Sequence, residues 1–96
     1  MRREVLVEDP KGKFLKITLD FDEVINEIVI TGDFFAHPEE SIDELQENLK
    51  GARTDPDEIK SILENFFEQK GVRMYGISVE GVFRGIMECL EDRKDE

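Results

Sequence analysis

Over residues 15–21 apolar and polar side chains alternate, with Leu15, Ile17, Leu19 and Phe21 separated by Lys16, Thr18 and Asp20. A period of two marks a strand with one buried face, because successive side chains of an extended chain point to opposite sides. Before it, Glu4-Val5-Leu6-Val7-Glu8 is short and apolar, and Asp9-Pro10-Lys11-Gly12 supplies the turn chemistry of a hairpin. After it, Asp22-Glu23 turns the chain into residues 24–31, the stretch richest in β-branched side chains, with Ile28 and Ile30 on one face and Val29 and Thr31 on the other. A meander of three antiparallel strands over about residues 4–32 is the expectation.

Beyond His37 the pattern becomes helical. Pro38 suits a first helical turn, Glu39, Glu40 and Asp43 favour the positive end of a helix dipole, and Ile42, Leu45 and Leu49 form a stripe that ends at Gly51. Asp55-Pro56-Asp57-Glu58 combines an N-cap, a proline at the first position and an acid at the capping-box position, ahead of Ile59, Ile62, Leu63, Phe66 and Phe67. Gly71 closes that second helix. Ser78 caps a third with the stripe Val79, Val82, Phe83, Ile86, Met87 and Leu90, after which residues 91–96 form a charged tail. Gly81 and Gly85 weaken this helix, yet their spacing of four puts them on one side, where a neighbour can approach closely. Each stripe needs an apolar surface, and one face of the sheet offers it. The pattern therefore predicts a single two-layer α+β domain over residues 1–96, with strands over about 4–32 and helices over about 38–91. Its order is β-β-β-α-α-α, a three-stranded antiparallel meander packed by three C-terminal helices.

Composition narrows the functions. Thirteen basic residues stand against 24 acidic ones, a formal net charge of -11, which repels phosphate backbones and anionic lipid. Nucleic acid and membrane surfaces are thereby disfavoured as partners. The bias is uneven: Arg2, Arg3, Lys11, Lys13 and Lys16 outnumber the three acids of residues 1–16, whereas the remainder has eight basic groups against 21 acids. Cys89 is the only cysteine, so no internal disulfide is possible and a reducing compartment fits. Met1-Arg2-Arg3-Glu4 is followed by no apolar run, and no stretch approaches bilayer length, so a cytoplasmic location is expected.

The third strand runs into Thr31-Gly32-Asp33-Phe34-Phe35. Adjacent phenylalanines cannot both enter one core while the backbone stays extended, so either one ring faces outward or the chain turns at Gly32 and buries both. Gly32 permits a bend or a close backbone approach, and Asp33 can accept a hydrogen bond from the turn that follows. The stretch has the look of a junction that presents an aromatic to a partner.

A search for a catalytic set returns mostly absences. His37 is the lone histidine, directly before Pro38, where a loop or capping role is the plain reading; Ser41, Ser61 and Ser78 have no base in pattern and are accounted for as caps or surface positions. Cys89 lies three residues after Ile86 and seven after Val82, on the apolar stripe, which favours a buried inert thiol over a reactive thiolate. Asp20-Phe21-Asp22-Glu23 gathers three carboxylates without the glycine and ligand spacing of a calcium loop, so these are read as turn acids. No Gly-rich phosphate cradle and no Cys or His metal pair is seen.

At Thr31-Gly32-Asp33-Phe34-Phe35, Pro38-Glu39, Leu45, Leu49 and Gly51, with Lys13-Phe14-Leu15-Lys16 before and Gly76-Ile77-Ser78 after, the chain resembles the small C-terminal accessory domain of lipoate–protein ligases. The resemblance covers about residues 4–90. In several archaea that domain is a separate polypeptide, and the large catalytic domain of the family is missing here. The resemblance implies a non-catalytic accessory subunit that pairs with a lipoate ligase catalytic subunit and supports lipoyl-adenylate formation from lipoate and ATP, before transfer to acceptor lysines. Lipoate, ATP and Mg would be bound by that partner, with no cofactor or metal on this chain alone. It implies an interface built from Thr31, Gly32, Asp33, Phe34 and Phe35, with Lys13 and Lys16 matching the family's basic hairpin. The family's small domain in turn resembles the SufE/NifU-like fold of sulfur-transfer and iron–sulfur scaffold proteins, which keeps open a sulfur acceptor or cluster-assembly factor using Cys89. An acidic protein–protein adaptor is a further alternative. A domain that is itself lipoylated fits poorly, because its lysine should sit on the hairpin tip of an all-β domain.

Overall fold

The inward residues of the alternating strand, Leu15, Ile17, Leu19 and Phe21, are all buried at the centre of a computed structural model that describes residues 1–91. That strand is β2 (Phe14–Phe21), and it lies between β1 (Arg2–Glu8) and β3 (Ile25–Gly32), antiparallel to both. Val7 joins the buried face from β1, and Ile25, Ile28 and Ile30 join it from β3. The opposite face is open to solvent. The β1–β2 turn closes with Asp9 N–H on the Lys13 carbonyl and Gly12 N–H on the Asp9 carbonyl, both at 2.7 Å.

The chain then forms β4 (Phe35–His37), α1 (Ser41–Leu49), α2 (Pro56–Phe67), β5 (Arg73–Tyr75) and α3 (Val79–Glu91). Helix α1 packs on β3, α3 lies across β1 and β2, and α2 leans on both helices. Leu45 and Leu49 of α1, Ile59, Leu63 and Phe66 of α2, and Val82, Ile86 and Leu90 of α3 complete the core. The architecture is the expected α+β arrangement, a three-stranded meander with three helices on one face.

Capping chemistry sets the helix starts. The Asp55 carboxylate accepts from Glu58 N–H at 3.0 Å and Pro56 takes the first turn, while Ser78 Oγ accepts from Gly81 N–H at 3.2 Å. The Glu58 carboxylate reaches back to Arg53 N–H, two residues before the cap. Helix α1 begins at Ser41 and not at Pro38, because Pro38 to Glu40 form a turn closed by Ser41 N–H on the Pro38 carbonyl at 3.0 Å. Similarly α2 ends at Phe67, four residues short of Gly71. Asp22 is a turn acid, as read from sequence: Val24 N–H, and after it the Asn26 side chain, hold its carboxyl below the usual carboxylate range.

The main departure is the antiparallel pair β4–β5, in which Phe35, Ala36 and His37 face Tyr75, Met74 and Arg73. Three residues per strand are too few for a readable alternation. Of the expected charged tail, Glu91 is the last residue of α3 and residues 92–96 lie outside the described part.

Candidate docking site

The aromatic junction leaves β3 at Gly32, whose position tolerates no side chain: a Cβ there would run into the Phe14 carbonyl oxygen. Phe34 then turns inward and packs on the core, and the start of β4 sends Phe35 outward, 73% exposed. One ring in and one ring out settles the alternative left open by the sequence. Ala36 tucks under while His37 faces out, the ordinary alternation of a strand.

Across the small sheet, Tyr75 stands directly opposite Phe35 and is 51% exposed, so two large rings share one solvent-facing side of a paired ribbon. His37 and Arg73 form the next outward pair. Gly76, at φ +83°, follows; a Cβ there would lie 3.0 Å from Lys13 Cγ and 3.5 Å from Phe34 Cβ, so the β1–β2 hairpin and the β5 segment are in close contact. The result is an open hollow of ≈470 Å³ lined by Lys13, Gly32, Asp33, Phe34, Phe35, Tyr75 and Gly76. Three aromatic rings, a lysine, an aspartate and two glycines thus share its lining.

Five of the seven residues expected at an interface thus converge. Thr31 and Lys16 do not line the hollow. They sit opposite one another on the open face of the sheet, with Lys16 Nζ 3.6 Å from Glu4 Oε2. Tyr75 and Gly76 are contributors that sequence reasoning missed. The available signal was the step from Gly71 to Gly76 around Arg73-Met74-Tyr75, a short apolar–polar stretch between two glycines.

Asp9 is also more than a turn residue. It is 1% exposed, and its carboxylate accepts from Lys11 N–H at 2.9 Å, Ser78 N–H at 2.8 Å and the Ser78 hydroxyl at 3.0 Å. These bonds tie the hairpin that carries Lys13 to the segment that carries Tyr75 and Gly76. A buried carboxylate is tolerated because donors from both segments satisfy it.

The acids of the helical layer gather elsewhere. Glu40, Asp43, Glu44 and Glu47 border a second hollow of ≈550 Å³ between α1 and α2. Cys89 is fully buried, its thiol 3.9 Å from the Arg3 and Ile17 carbonyls. The sulfur is thereby shielded from reagents in the solvent. An aromatic disulfide reagent is therefore expected to titrate no thiol in the native protein and one after guanidinium unfolding; rapid native reaction would restore the sulfur-acceptor reading.

The sequence profile of the family described as bacterial lipoate protein ligase C-terminus matches residues 14–83. Among curated proteins the chain is similar to lipoate-protein ligase A subunit 2 of Thermoplasma acidophilum, 35% identical over 77 residues and covering 79% of each. Among solved structures it is similar to a chain from the archaeal lipoylation system of that organism, described as a bi-partite lipoate protein ligase and its E2 lipoyl domain. That match has a TM-score of 0.73 at 31% identity and covers 90% of this chain and 97% of the other. The matched span runs from the start of β2 into α3 and includes every residue that lines the hollow except Lys13, which immediately precedes it. By sequence and by fold, this chain belongs to the lipoate protein ligase C-terminal family.

Proposed function

We propose that this chain is the non-catalytic accessory subunit of a two-component lipoate–protein ligase, docking through the aromatic hollow on a separate catalytic subunit and supporting the adenylation half-reaction. The observation that carries this reading is the outward Phe35–Tyr75 pair beside a hollow that Gly32 and Gly76 help to line. Two adjacent rings this exposed add little to the fold of the isolated chain beyond their mutual contact, and rings of this kind are the usual anchors of protein interfaces. Lys13, Gly32, Asp33, Phe34 and Phe35 form the dock in this reading, and Lys16 and Thr31 its margin on the open sheet face.

In adenylation a lipoate carboxylate oxygen attacks the α-phosphorus of ATP and pyrophosphate leaves. The partner holds lipoate, ATP and Mg. An acyl-adenylate is readily hydrolysed, so a second subunit closing over it contributes by excluding water and fixing the reacting groups. Transfer to the acceptor lysine follows on the large subunit.

Pyrophosphate release by the cognate catalytic subunit, with and without an equal amount of this chain, tests the proposal. Release that depends on the added chain is the expected result. Equal release in both mixtures, with no complex on gel filtration, would overturn it.

A further inference from the structure

The two edges of the main sheet are finished differently. At β3 the edge is covered in part: Ile25 N–H bonds the Ala52 carbonyl at 2.8 Å, Gly51 N–H bonds the Ile25 carbonyl at 2.8 Å, and Ile30 N–H bonds Gln46 Oε1 at 2.9 Å. At β1 the hydrogen-bond phase can be read from its ends. Met1 and Phe21 exchange both of their backbone bonds at 2.8 Å, and Asp9 N–H bonds the Lys13 carbonyl at 2.7 Å. With the register running from Arg2↔Asp20 to Glu8↔Phe14, the odd-numbered residues turn their N–H and C=O groups toward β2. Arg2, Glu4, Leu6 and Glu8 turn theirs away from the sheet. The one bond shown at this edge among the described residues is Arg84 Nη1 to the Glu8 carbonyl at 3.1 Å.

We propose that this open β1 edge pairs with the β1 edge of a second copy of the chain, antiparallel about Val5, joining two three-stranded sheets into one of six strands. The occupant follows from charge and hydrogen-bond phase together. A two-fold pairing centred on Val5 sets Arg2 of one protomer opposite Glu8 of its partner, and Glu4 opposite Leu6. All four are residues whose backbone groups already face outward, so both requirements are met by one register. Slipping by two residues, the smallest step that keeps the phase, sets Glu4 opposite Glu4 in one direction and Glu4 opposite Glu8 in the other, and like charges directly opposed are destabilising. Among the described residues neither Arg2 nor Glu8 has an ion-pair partner within the chain, whereas Glu4 is held by Lys16. Leu6, 66% exposed beside this edge, loses part of its contact with water in the pairing. The docking hollow belongs to other elements, so the pairing stands independently of the function proposed above.

Sedimentation velocity on the full chain, from micromolar concentration up to about 1 mM, reads the pairing as a rise from 11.2 kDa toward twice that mass. Leu6→Pro removes an outward N–H and no β1–β2 bond, so it should weaken the dimer roughly tenfold or more while the circular dichroism spectrum stays native. Arg2→Glu and Glu8→Arg should each weaken it several-fold, and the double exchange Arg2→Glu/Glu8→Arg should restore it to within about twofold, because the pairs are re-formed with opposite sign. That rescue is independent of how Leu6→Pro folds. A chain that stays monomeric throughout, or a dimer indifferent to the charge exchange, would overturn the proposal. So would a monomeric chain whose binding to the catalytic subunit is lost in Leu6→Pro, since that assigns the edge to the other subunit.

Discussion

Phe35→Ala is expected to weaken binding of the catalytic subunit by about 2 kcal/mol or more, roughly 30-fold in Kd, the cost typical of truncating an aromatic anchor at an interface. The ring is mostly exposed in the isolated chain, so folding stability should change little beyond the cross-strand contact with Tyr75, worth about 0.2–1 kcal/mol. Isothermal titration calorimetry and thermal melts on the same samples separate the two effects. Tyr75→Ala should behave similarly, because its ring shares the outward side of the ribbon. Phe34→Ala provides the contrast. Its ring packs on the core, so the loss should be seen in Tm as well as in binding. Lys16→Ala and Thr31→Ala, on the open sheet face, should cost much less than Phe35→Ala. Unchanged affinity in both Phe35→Ala and Tyr75→Ala would remove the hollow from the interface.

The second large effect concerns stability. Asp9→Ala removes the acceptor for two backbone N–H groups and for the Ser78 hydroxyl, all in a site where the residue is almost wholly buried. Charge-assisted bonds of this kind contribute about 1.5–3 kcal/mol each at most, and stranded donors add to the loss. A cost of about 3 kcal/mol is expected, which in a domain of this size lowers Tm by roughly 15 °C. Asp9→Asn keeps an acceptor and should lose about half as much. Gly81→Ala approaches the same bonds from the other side, since its Cβ would collide with the Asp9 carboxylate. Alanine's gain of about 1 kcal/mol in helix propensity should not offset that collision, so this variant is also expected to melt lower. A melting temperature unchanged in Asp9→Ala would show that solvent replaces the bonds and that the hairpin is not held through them.

Residue pattern alone specified most of the scaffold. The alternation at Leu15 to Phe21 and the stripes of the three helices are each legible because a strand or helix long enough to repeat its period announces which face is buried. The caps at Asp55 and Ser78 were legible for a similar reason, being bonds between near neighbours in the chain. Even the glycines at 81 and 85 could be placed on one side of α3 before knowing that they meet Asp9 and Ile17.

The candidate docking site was legible only in part. Gly32-Asp33-Phe34-Phe35 signals a junction, and five of the seven expected residues do meet at the hollow, but the junction alone leaves open which ring is outward. That choice is made by β5, which pairs with β4 from 38 residues away and fixes the alternation of Phe35, Ala36 and His37. The same long-range pairing brings Tyr75 beside Phe35, and the fold brings Ser78 to Asp9 across a separation of 69 residues. Local periodicity carries no information about such meetings, because each segment taken separately satisfies its own turn or loop. The sequence therefore specified the three long strands, the three helices, their buried faces and the presence of a junction. The outward ring, its aromatic neighbour and the buried carboxylate that joins the two walls are consequences of packing, since each depends on contacts between segments with no local signal for one another.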